Sequence, residues 1–237
     1  MNPESAQSTN EAVEGIIERT KQRYDRSLQN QIRRADKLFA TVFLAEWLFG
    51  ILIAIVWSPY TWAGKTKVLN LHVWIAIFLG LAIISLPLLL IWKKSGTAAT
   101  RYTVAVAQML YSALLIHLTG GRIETHFHVF GSLALLAFYL DWGVLAIATI
   151  TIALDHLIRG ILWPESVYGI LNPEWWRFLE HAFWVILCAA SLIVFCFKFL
   201  RVQREAAEES GGIDAMLLRA RARIEALEKE IATLKGT

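Results

Sequence analysis

The sequence predicts an all-α fold: a bundle of six transmembrane helices, preceded by a cytoplasmic amphipathic helix and followed by a parallel coiled coil. Hydrophobic residues make up 56% of the 237 residues, which is too apolar for a soluble domain of this size. Apolar runs long enough to cross a bilayer recur along the chain, and a heptad pattern follows the last of them. We therefore expect an N-terminal helix over 1–37, a transmembrane domain over 38–200, and a linker with a coiled coil over 201–237.

The N-terminal segment predicts a helix that stays outside the bilayer. Residues 9–37 are charged and weakly amphipathic, with Val13, Ile17, Tyr24 and Leu28 along one stripe. The segment has no apolar stretch of the kind that a signal peptide requires. We expect this helix to lead into the first transmembrane span.

The distribution of Lys and Arg around the apolar runs predicts the orientation. Eleven of these cations flank the helices on one side and five on the other, which places both termini in the cytoplasm of a bacterium and the domain in its inner membrane. The net charge of +3 comes from these flanks, so it favours anionic lipid headgroups as a partner and not nucleic acid. The six predicted spans are 38–57, 71–92, 102–118, 123–140, 143–159 and 175–200. The five outer cations are Lys65, Lys67, Arg122, Arg159 and Arg177.

All six histidines fall near the outer ends of these predicted helices. Ionisable residues in membrane helices are costly and usually functional, so imidazoles gathered at one depth on five helices predict a ligand site. We expect acidic side chains and one arginine to support them. The candidate ligands are His72, His117, His126, His128, His156 and His181, and the supporting residues are Glu46, Glu124, Asp155, Arg159 and Glu180.

Helix geometry limits how these histidines can be combined. His126 and His128 are two residues apart, so on a regular helix they point about 200° away from each other and do not share one ion. We expect His117 to face this pair across the short turn at 119–122. Each histidine also has the simpler interpretation of an interfacial side chain bonded to water or a carbonyl.

The acidic residues have two interpretations as well. Asp155 and Glu180 each directly precede a histidine, and adjacent residues diverge by about 100° on a helix. Each carboxylate is therefore expected to orient a histidine of another helix rather than its neighbour. The simpler alternatives are an ion pair between Asp155 and Arg159, a solvated Glu180, and a structural hydrogen bond from Glu46 to another helix.

A heptad repeat follows the sixth predicted helix and indicates a parallel homodimer. Ile and Leu at the two core positions of the repeat favour two parallel strands. The segment 208–212 resembles a flexible joint, and the seam runs to the last residues, as in a piece of a longer protein or a small protein that signals by dimerising. The seam residues are Leu217, Ile224 and Ile231 at one position, and Ile213, Ala220, Leu227 and Leu234 at the other.

Four short motifs resemble a His-rich membrane input module of bacterial sensor histidine kinases, chemoreceptors and diguanylate cyclases. They are LTGGRIETHFHVFG at 118–131, DHLIRG at 155–160, WPESVYG at 163–169 and EHA at 180–182. The resemblance implies a sensory input function and a cytoplasmic output domain as partner. This chain departs from the family pattern because it stops after its coiled coil, so the resemblance leaves open which output it drives; we expect no catalytic domain in this chain, as for the input part of a histidine kinase.

The residue types favour a transition metal as the ligand. Imidazoles with a few carboxylates and no nearby cysteine suit zinc, copper or iron. Haem held between two histidines is the main alternative cofactor, and without any cofactor the histidines form a pH switch. The function that fits best is a periplasmic-side sensor that signals through its coiled coil. A metal- or haem-dependent membrane oxidoreductase is the second hypothesis.

Overall fold

Helices form almost all of the structure, a computed structural model that describes residues 3–57, 60–63 and 66–235. For residues 3–6, 60–63 and 66–69 it describes the backbone alone. A two-stranded antiparallel hairpin separates the first two long helices, an element that the all-α prediction did not include. The elements in chain order are α1 (Pro3–Trp57), β1 (Tyr60–Ala63), β2 (Thr66–Leu69), α2 (Leu71–Trp74), a π-helix (Ile75–Leu79), α3 (Gly80–Lys94), α4 (Ala98–Leu118), α5 (Ile123–Leu136), a 3₁₀ turn (Ala137–Tyr139), α6 (Trp142–Leu162), α7 (Glu165–Tyr168) and α8 (Arg177–Lys235).

Four helical stretches in the described part of the chain are long and apolar enough to cross a membrane. They are Gln7–Trp57, Leu71–Lys94, Trp142–Leu162 and Arg177–Lys235. The other two predicted spans correspond to α4 and α5. Because α4 lies at the centre of the bundle and is buried along most of its length, its side chains need not be apolar. The prediction of six spans goes beyond these four helices and stays a prediction.

Two predicted boundaries differ from the structure. The N-terminal helix and the first span form one uninterrupted helix, α1. The expectation of a flexible joint at 208–212 is wrong, because these residues are helical within α8. Glycine weakens a helix but does not interrupt it when its neighbours are strong helix formers. Lys65, one of the outer cations, lies outside the described residues.

Residues 30–197 form one compact unit, built around α4. The helices α3, α5 and α6 pack against it. On α1, Phe39 is fully buried and its ring stacks on Tyr139 with centroids 5.6 Å apart. Where the π-helix loosens the backbone ladder, Trp47 donates its indole N–H to the Ile77 carbonyl at 3.1 Å.

Asp36 joins three elements at the end of this unit opposite the histidines. Its carboxylate is fully buried and accepts hydrogen bonds from the Ser95 hydroxyl (2.8 Å), the Gly96 backbone N–H (2.6 Å) and the Tyr139 hydroxyl (2.7 Å). Nearby, Arg101 pairs with Asp141 at 2.6 Å. Buried carboxylates are stable only when their lone pairs are satisfied, so these bonds hold α1 to the α3–α4 turn and to the end of α5.

Residues 1–29 and 198–237 form a second compact unit. Val13 of α1 and Ala215 of α8 are buried within it. A Cβ atom on Gly211 would lie 2.9 Å from the Thr20 hydroxyl oxygen, so the two helices approach each other closely at this point. The larger seam residues of the predicted coiled coil remain exposed in this single chain.

Candidate ligand-binding site

The four motifs that carry the family resemblance meet in one place. They supply the turn before α5, the last turns of α6, the short helix α7 and the first turns of α8. Gly121 and Gly169 make the closest of these contacts. Both have positive φ, at 73° and 69°, and a Cβ atom on Gly121 would overlap the Gly169 backbone nitrogen. Only glycine meets both demands at this contact.

Three histidines from three helices form a cluster there. The ring centroids of His126 on α5 and His156 on α6 are 5.4 Å apart. His181 on α8 lies 5.4 Å from His126 and 6.4 Å from His156. The prediction brought together six histidines, and the structure brings these three together in what we call the three-histidine cluster.

Each ring in the cluster is held through its Nδ1 atom. The Nδ1 atoms of His126 and His181 lie 2.9 Å from the backbone carbonyls of Arg122 and Arg177, one helical turn earlier. Since a carbonyl only accepts, these Nδ1 atoms carry the hydrogen and the Nε2 atoms keep their lone pairs. His156 follows the same pattern, with Nδ1 3.2 Å from the Asp155 carboxylate. Metal-binding histidines are oriented by such partners on the other ring nitrogen.

Asp155 and Arg159 lock the α6 end of the cluster. Arg159 donates to both oxygens of Asp155, at 2.8 and 2.6 Å, which confirms the ion pair that their spacing predicts. The same guanidinium reaches the Ala113 carbonyl of α4 (3.2 Å) and the Ser166 carbonyl of α7 (3.3 Å). Asp155 also supports His156, its own neighbour, so the expectation that adjacent side chains diverge too far for this contact is wrong. The 3.2 Å bond forms because the two side chains start from adjacent Cα atoms, which are close enough for the carboxylate to reach Nδ1 although the two side chains diverge.

A cavity of about 600 Å³ adjoins the three-histidine cluster. His126 is buried, and its Nε2 atom has no hydrogen-bond partner among the described residues. The Nε atom of Arg177, also on the cavity wall, has none either. The remaining wall is largely apolar and aromatic. It includes Ile123, Phe127, Phe130, Ile152, Phe178, Trp184 and Ile186.

The cluster has nearly, but not fully, the dimensions of a metal site. Three imidazoles bound at about 2.1 Å to a tetrahedral ion have ring centres about 5 Å apart. The two separations of 5.4 Å fit this value, and the 6.4 Å between His156 and His181 is wider. Consistent with that gap, no group of three or more His, Cys, Asp or Glu side chains among the described residues has the geometry to hold a metal ion as it stands.

His72 and His117 form a separate pair. Their ring centroids are 5.2 Å apart, and Trp163 lies 4.9 Å from His117 on the other side. The expectation that His117 faces His126 and His128 is therefore wrong. The turn after α4 carries α5 to a position where its histidines meet α6, α8 and α1, while the end of α4 faces α2.

His128 belongs to a third group, with Glu46. Its Nε2 atom lies 3.0 Å from the Glu46 carboxylate, and its Nδ1 atom lies 2.9 Å from the Ser112 hydroxyl. His126 and His128 therefore face different partners, as their spacing predicts. Glu46 also accepts a bond of 2.6 Å from Gln108, so the simpler interpretation of Glu46, a hydrogen bond to another helix, is confirmed.

The remaining acidic candidates lie at the margin of the site. Glu124 is exposed and pairs with Arg122 at 3.2 Å. Glu180 is exposed at the wall of the cavity. The expectation that Glu124 supports a histidine is not met in this arrangement.

Several polar residues of the site were missing from the sequence prediction. Gln108 and Ser112 lie four residues apart on α4, and His128 and Ser132 four apart on α5, so each pair shares one helix face. These two polar faces bond to each other, with Gln108 donating to Ser132 at 2.9 Å. The sequence signal that could have identified these residues is the repetition of polar side chains at helical spacing on otherwise apolar segments.

The chain is similar to a known signal transducer. It is 32% identical over 121 residues to transducer protein Htr8 of Halobacterium salinarum, a match that covers 49% of this chain and 18% of the transducer. No family model matches the sequence, and no solved structure matches it. The similarity supports a role in signal transduction, and the apolar helices are compatible with a membrane protein.

Proposed function

We propose that this chain is a membrane-embedded sensory input module that binds a transition metal, or a metal- or haem-bound small molecule, at the three-histidine cluster. The observation that carries the proposal is the arrangement of His126, His156 and His181. Three helices contribute them, each Nδ1 is anchored, and each Nε2 is left to bind. The similarity to a transducer supports a sensor as the context.

A metal ion fits the cluster better than haem. Three neutral imidazoles without a nearby thiolate suit zinc, copper or iron. A haem needs only two axial histidines, which would leave the third anchored ring without a ligand to bind. The apolar cavity beside the cluster could nevertheless receive a haem, so the experiment must distinguish haem from a metal ion.

The site is proposed to lie on the periplasmic side, with both termini in the cytoplasm. The excess of Lys and Arg at the opposite helix ends supports this orientation. Arg201 and Arg204 are exposed on α8, beyond the predicted span and on the proposed cytoplasmic side. His181, in the first turns of the same helix, then lies at the periplasmic end.

Output is proposed to pass through a parallel homodimer of α8 to a cytoplasmic signalling domain. One helix, Arg177–Lys235, carries both His181 and the heptad seam. The seam side chains Ile224, Leu227 and Ile231 are about half exposed in the single chain, which leaves an apolar stripe for a second copy. Binding that changes the position of His181 thereby acts directly on the helix that dimerises.

A membrane oxidoreductase is the second candidate. Three protein ligands leave a coordination position open towards the cavity, an arrangement that catalytic metal sites share. The two functions differ in their dependence on the coiled coil. If the chain is joined to a histidine kinase, inserting four residues after Gly212 should alter kinase output, because such insertions change the local winding of the coiled coil. Unchanged output would favour the enzyme.

The test of the site is the metal content of the purified full-length chain. Elemental analysis should find zinc, copper or iron in a fixed ratio, and His126→Ala, His156→Ala and His181→Ala should each lose most of it. His72→Ala is the matched control, because it removes an imidazole from the separate pair and should keep the metal. An absorption spectrum identifies haem, which two of the three rings would hold, so that only the variant lacking the third ring should keep it. Full occupancy in all three variants would contradict the proposal.

A further inference from the structure

The cavity beside the three-histidine cluster becomes apolar one helical turn away from the imidazoles. Phe130 on α5, Ile152 on α6 and Val185 on α8 all line it. Each lies four residues from the cluster histidine of its own helix, and residues four apart share a helix face. In all three helices this step leads away from the helix end that carries the histidine, so the three side chains form one apolar layer. Thr149 is deeper still, and its hydroxyl is already bonded to the Leu145 carbonyl at 2.8 Å.

Arg177 marks the opposite, polar end of the cavity. It lines the wall and precedes His181 by four residues on α8. Arg177, His181 and Val185 therefore follow one another along a single face of the helix. Arg177 and Val185 are eight residues apart, which is about 12 Å at the rise of an α-helix. The cavity thus changes from cationic to apolar over that distance.

The Arg177 side chain lacks the partner that its charge requires. Its Nε atom is buried without a hydrogen bond among the described residues, and none of the ion pairs in that part of the chain involves it. The two other arginines near the cluster differ, because Arg122 pairs with Glu124 and Arg159 with Asp155. A partly buried cation without a partner is unfavourable, so an anion bound at Arg177 would be stabilised.

We propose that this cavity binds the anion of a single-chain fatty acid, with its carboxylate on Arg177 and its hydrocarbon chain along the apolar layer. A guanidinium presents pairs of N–H groups that match the two oxygens of a carboxylate. One unpartnered guanidinium balances one negative charge. The cavity of about 600 Å³ has the size of a site for one small ligand, so we assign one chain to it.

The rim of the cavity favours entry from the bilayer. Ile123, Phe127, Trp184 and Ile186 line the cavity, and each is more than half exposed. Exposed apolar surface of this kind is typical of contact with a membrane. A fatty acid in a bilayer keeps its carboxylate at the interface and its chain in the hydrocarbon core, which is the order in which the cavity presents Arg177 and the apolar layer.

The fatty acid and the proposed metal use different atoms. Because His126 Nδ1 donates to the Arg122 carbonyl, its buried Nε2 atom is an acceptor, which a metal can use and a carboxylate cannot. The donor on the cavity wall that is buried without a partner is Arg177 Nε. The fatty-acid site therefore goes beyond the proposed function and does not depend on a bound metal. Under that function, it gives α8 a second input beside His181.

Native mass spectrometry of the full chain in detergent, with palmitate added, tests this assignment. We expect one palmitate per chain, and Arg177→Gln should weaken its binding by about tenfold or more, because a charge-assisted pair is lost. Methyl palmitate has the same chain without the charge, so it should not distinguish Arg177→Gln from the wild type. Arg122→Gln is the matched control: this arginine is already paired with Glu124, and palmitate binding should stay unchanged.

A second variant tests the apolar end of the cavity. Ala153 lies on the wall, so Ala153→Leu should fill part of the space for the chain and weaken palmitate binding while Arg177 is intact. Since Arg177 has no partner to lose, Arg177→Gln should keep the metal content of the wild type and its thermal stability without palmitate. His156→Ala should show the converse, loss of metal with palmitate still bound, so the two proposals fail separately.

Equal palmitate affinity in the wild type and Arg177→Gln would overturn the proposal. So would displacement of palmitate by an equal concentration of dipalmitoyl phosphatidylglycerol, because the cavity would then be a phospholipid site. Unchanged palmitate affinity in Ala153→Leu would show that the chain does not enter the cavity, and would overturn the proposal as well.

Discussion

Gly121 packs backbone to backbone against Gly169, and this contact joins the turn before α5 to the end of α7. Their φ angles of 73° and 69° lie in the left-handed region, and no side chain fits between them. The ring of Tyr168, which directly precedes Gly169, lies 5.5 Å from His181, so the glycine contact lies beside the histidine that α8 contributes.

Gly121→Ala is therefore expected to destabilise the site. The left-handed conformation alone costs an L-residue roughly 1–2 kcal/mol, and the overlap with Gly169 adds about 1–3 kcal/mol. Gly120→Ala is a matched control, since Gly120 has the same positive φ (69°) but open space around its Cβ position. Thermal unfolding should show a larger loss for Gly121→Ala. Equal losses would mean that only the backbone conformation, and not the contact, matters.

Asp155 should tune the metal affinity without binding the metal. Its carboxylate accepts from His156 Nδ1 at 3.2 Å, and removing such a partner commonly lowers metal affinity by about 10–100-fold. Asp155→Asn is expected to show a loss in this range in competition titrations with a metal indicator. Glu180→Gln is the control, because Glu180 precedes His181 in the same way while His181 bonds to the Arg177 carbonyl. Equal metal affinity in the two variants would show that Asp155 does not support the metal site.

The orientation can be checked by cysteine labelling. In a chain with Cys188 and Cys196 replaced by Ala, Leu171→Cys should react with an impermeant reagent on intact cells, because Leu171 is 67% exposed and lies in the proposed periplasmic segment. Glu209→Cys, on the proposed cytoplasmic side, should react only after permeabilisation. A reporter after Thr237 should be active in its cytoplasmic form. If Glu209→Cys reacts on intact cells and Leu171→Cys reacts only after permeabilisation, the orientation is the reverse of the one proposed.

The sequence predicts where the helices of this protein lie along the chain better than it predicts which helices pack against one another. The α6 span was expected over 143–159 and is found over Trp142–Leu162, because a continuous apolar run leaves no other structure for its backbone in a bilayer. The partners of His117 could not be predicted in this way. They depend on which helices pack side by side, and that follows from non-local contacts such as the one between Gly121 and Gly169.

The polar interior of the bundle shows the same limit. In the sequence, Asp36 is one more charge in a charged segment, yet it is fully buried because donors from the turn between α3 and α4 and from Tyr139 meet around it. Helix periodicity did predict that His126 and His128 separate. The cluster of three histidines could thus be predicted only in part. The spacing of the residues predicts the helix face on which each histidine lies, but the packing of the helices decides which faces meet.

The heptad seam of α8 should hold two copies of the chain together. Ile224 and Leu227 are 55% and 49% exposed in the single chain, so burying the exposed half of each of the four side chains in a dimer of two copies contributes on the order of 1 kcal/mol. Replacing them by Ile224→Glu and Leu227→Lys should therefore weaken the dimer by about a thousandfold. Sedimentation of the full chain in detergent measures this change, and metal content should stay the same.

A charge-matched pair off the seam controls for this result. Glu225→Lys with Lys229→Glu also leaves the net charge unchanged, but both residues lie on the outer face of the repeat, so the dimer should persist. Because Gly211 and Gly212 are helical, the seam is continuous with the helix that carries His181. If the seam variant dimerises as tightly as the control, another surface joins the copies, and the route proposed for the signal is wrong.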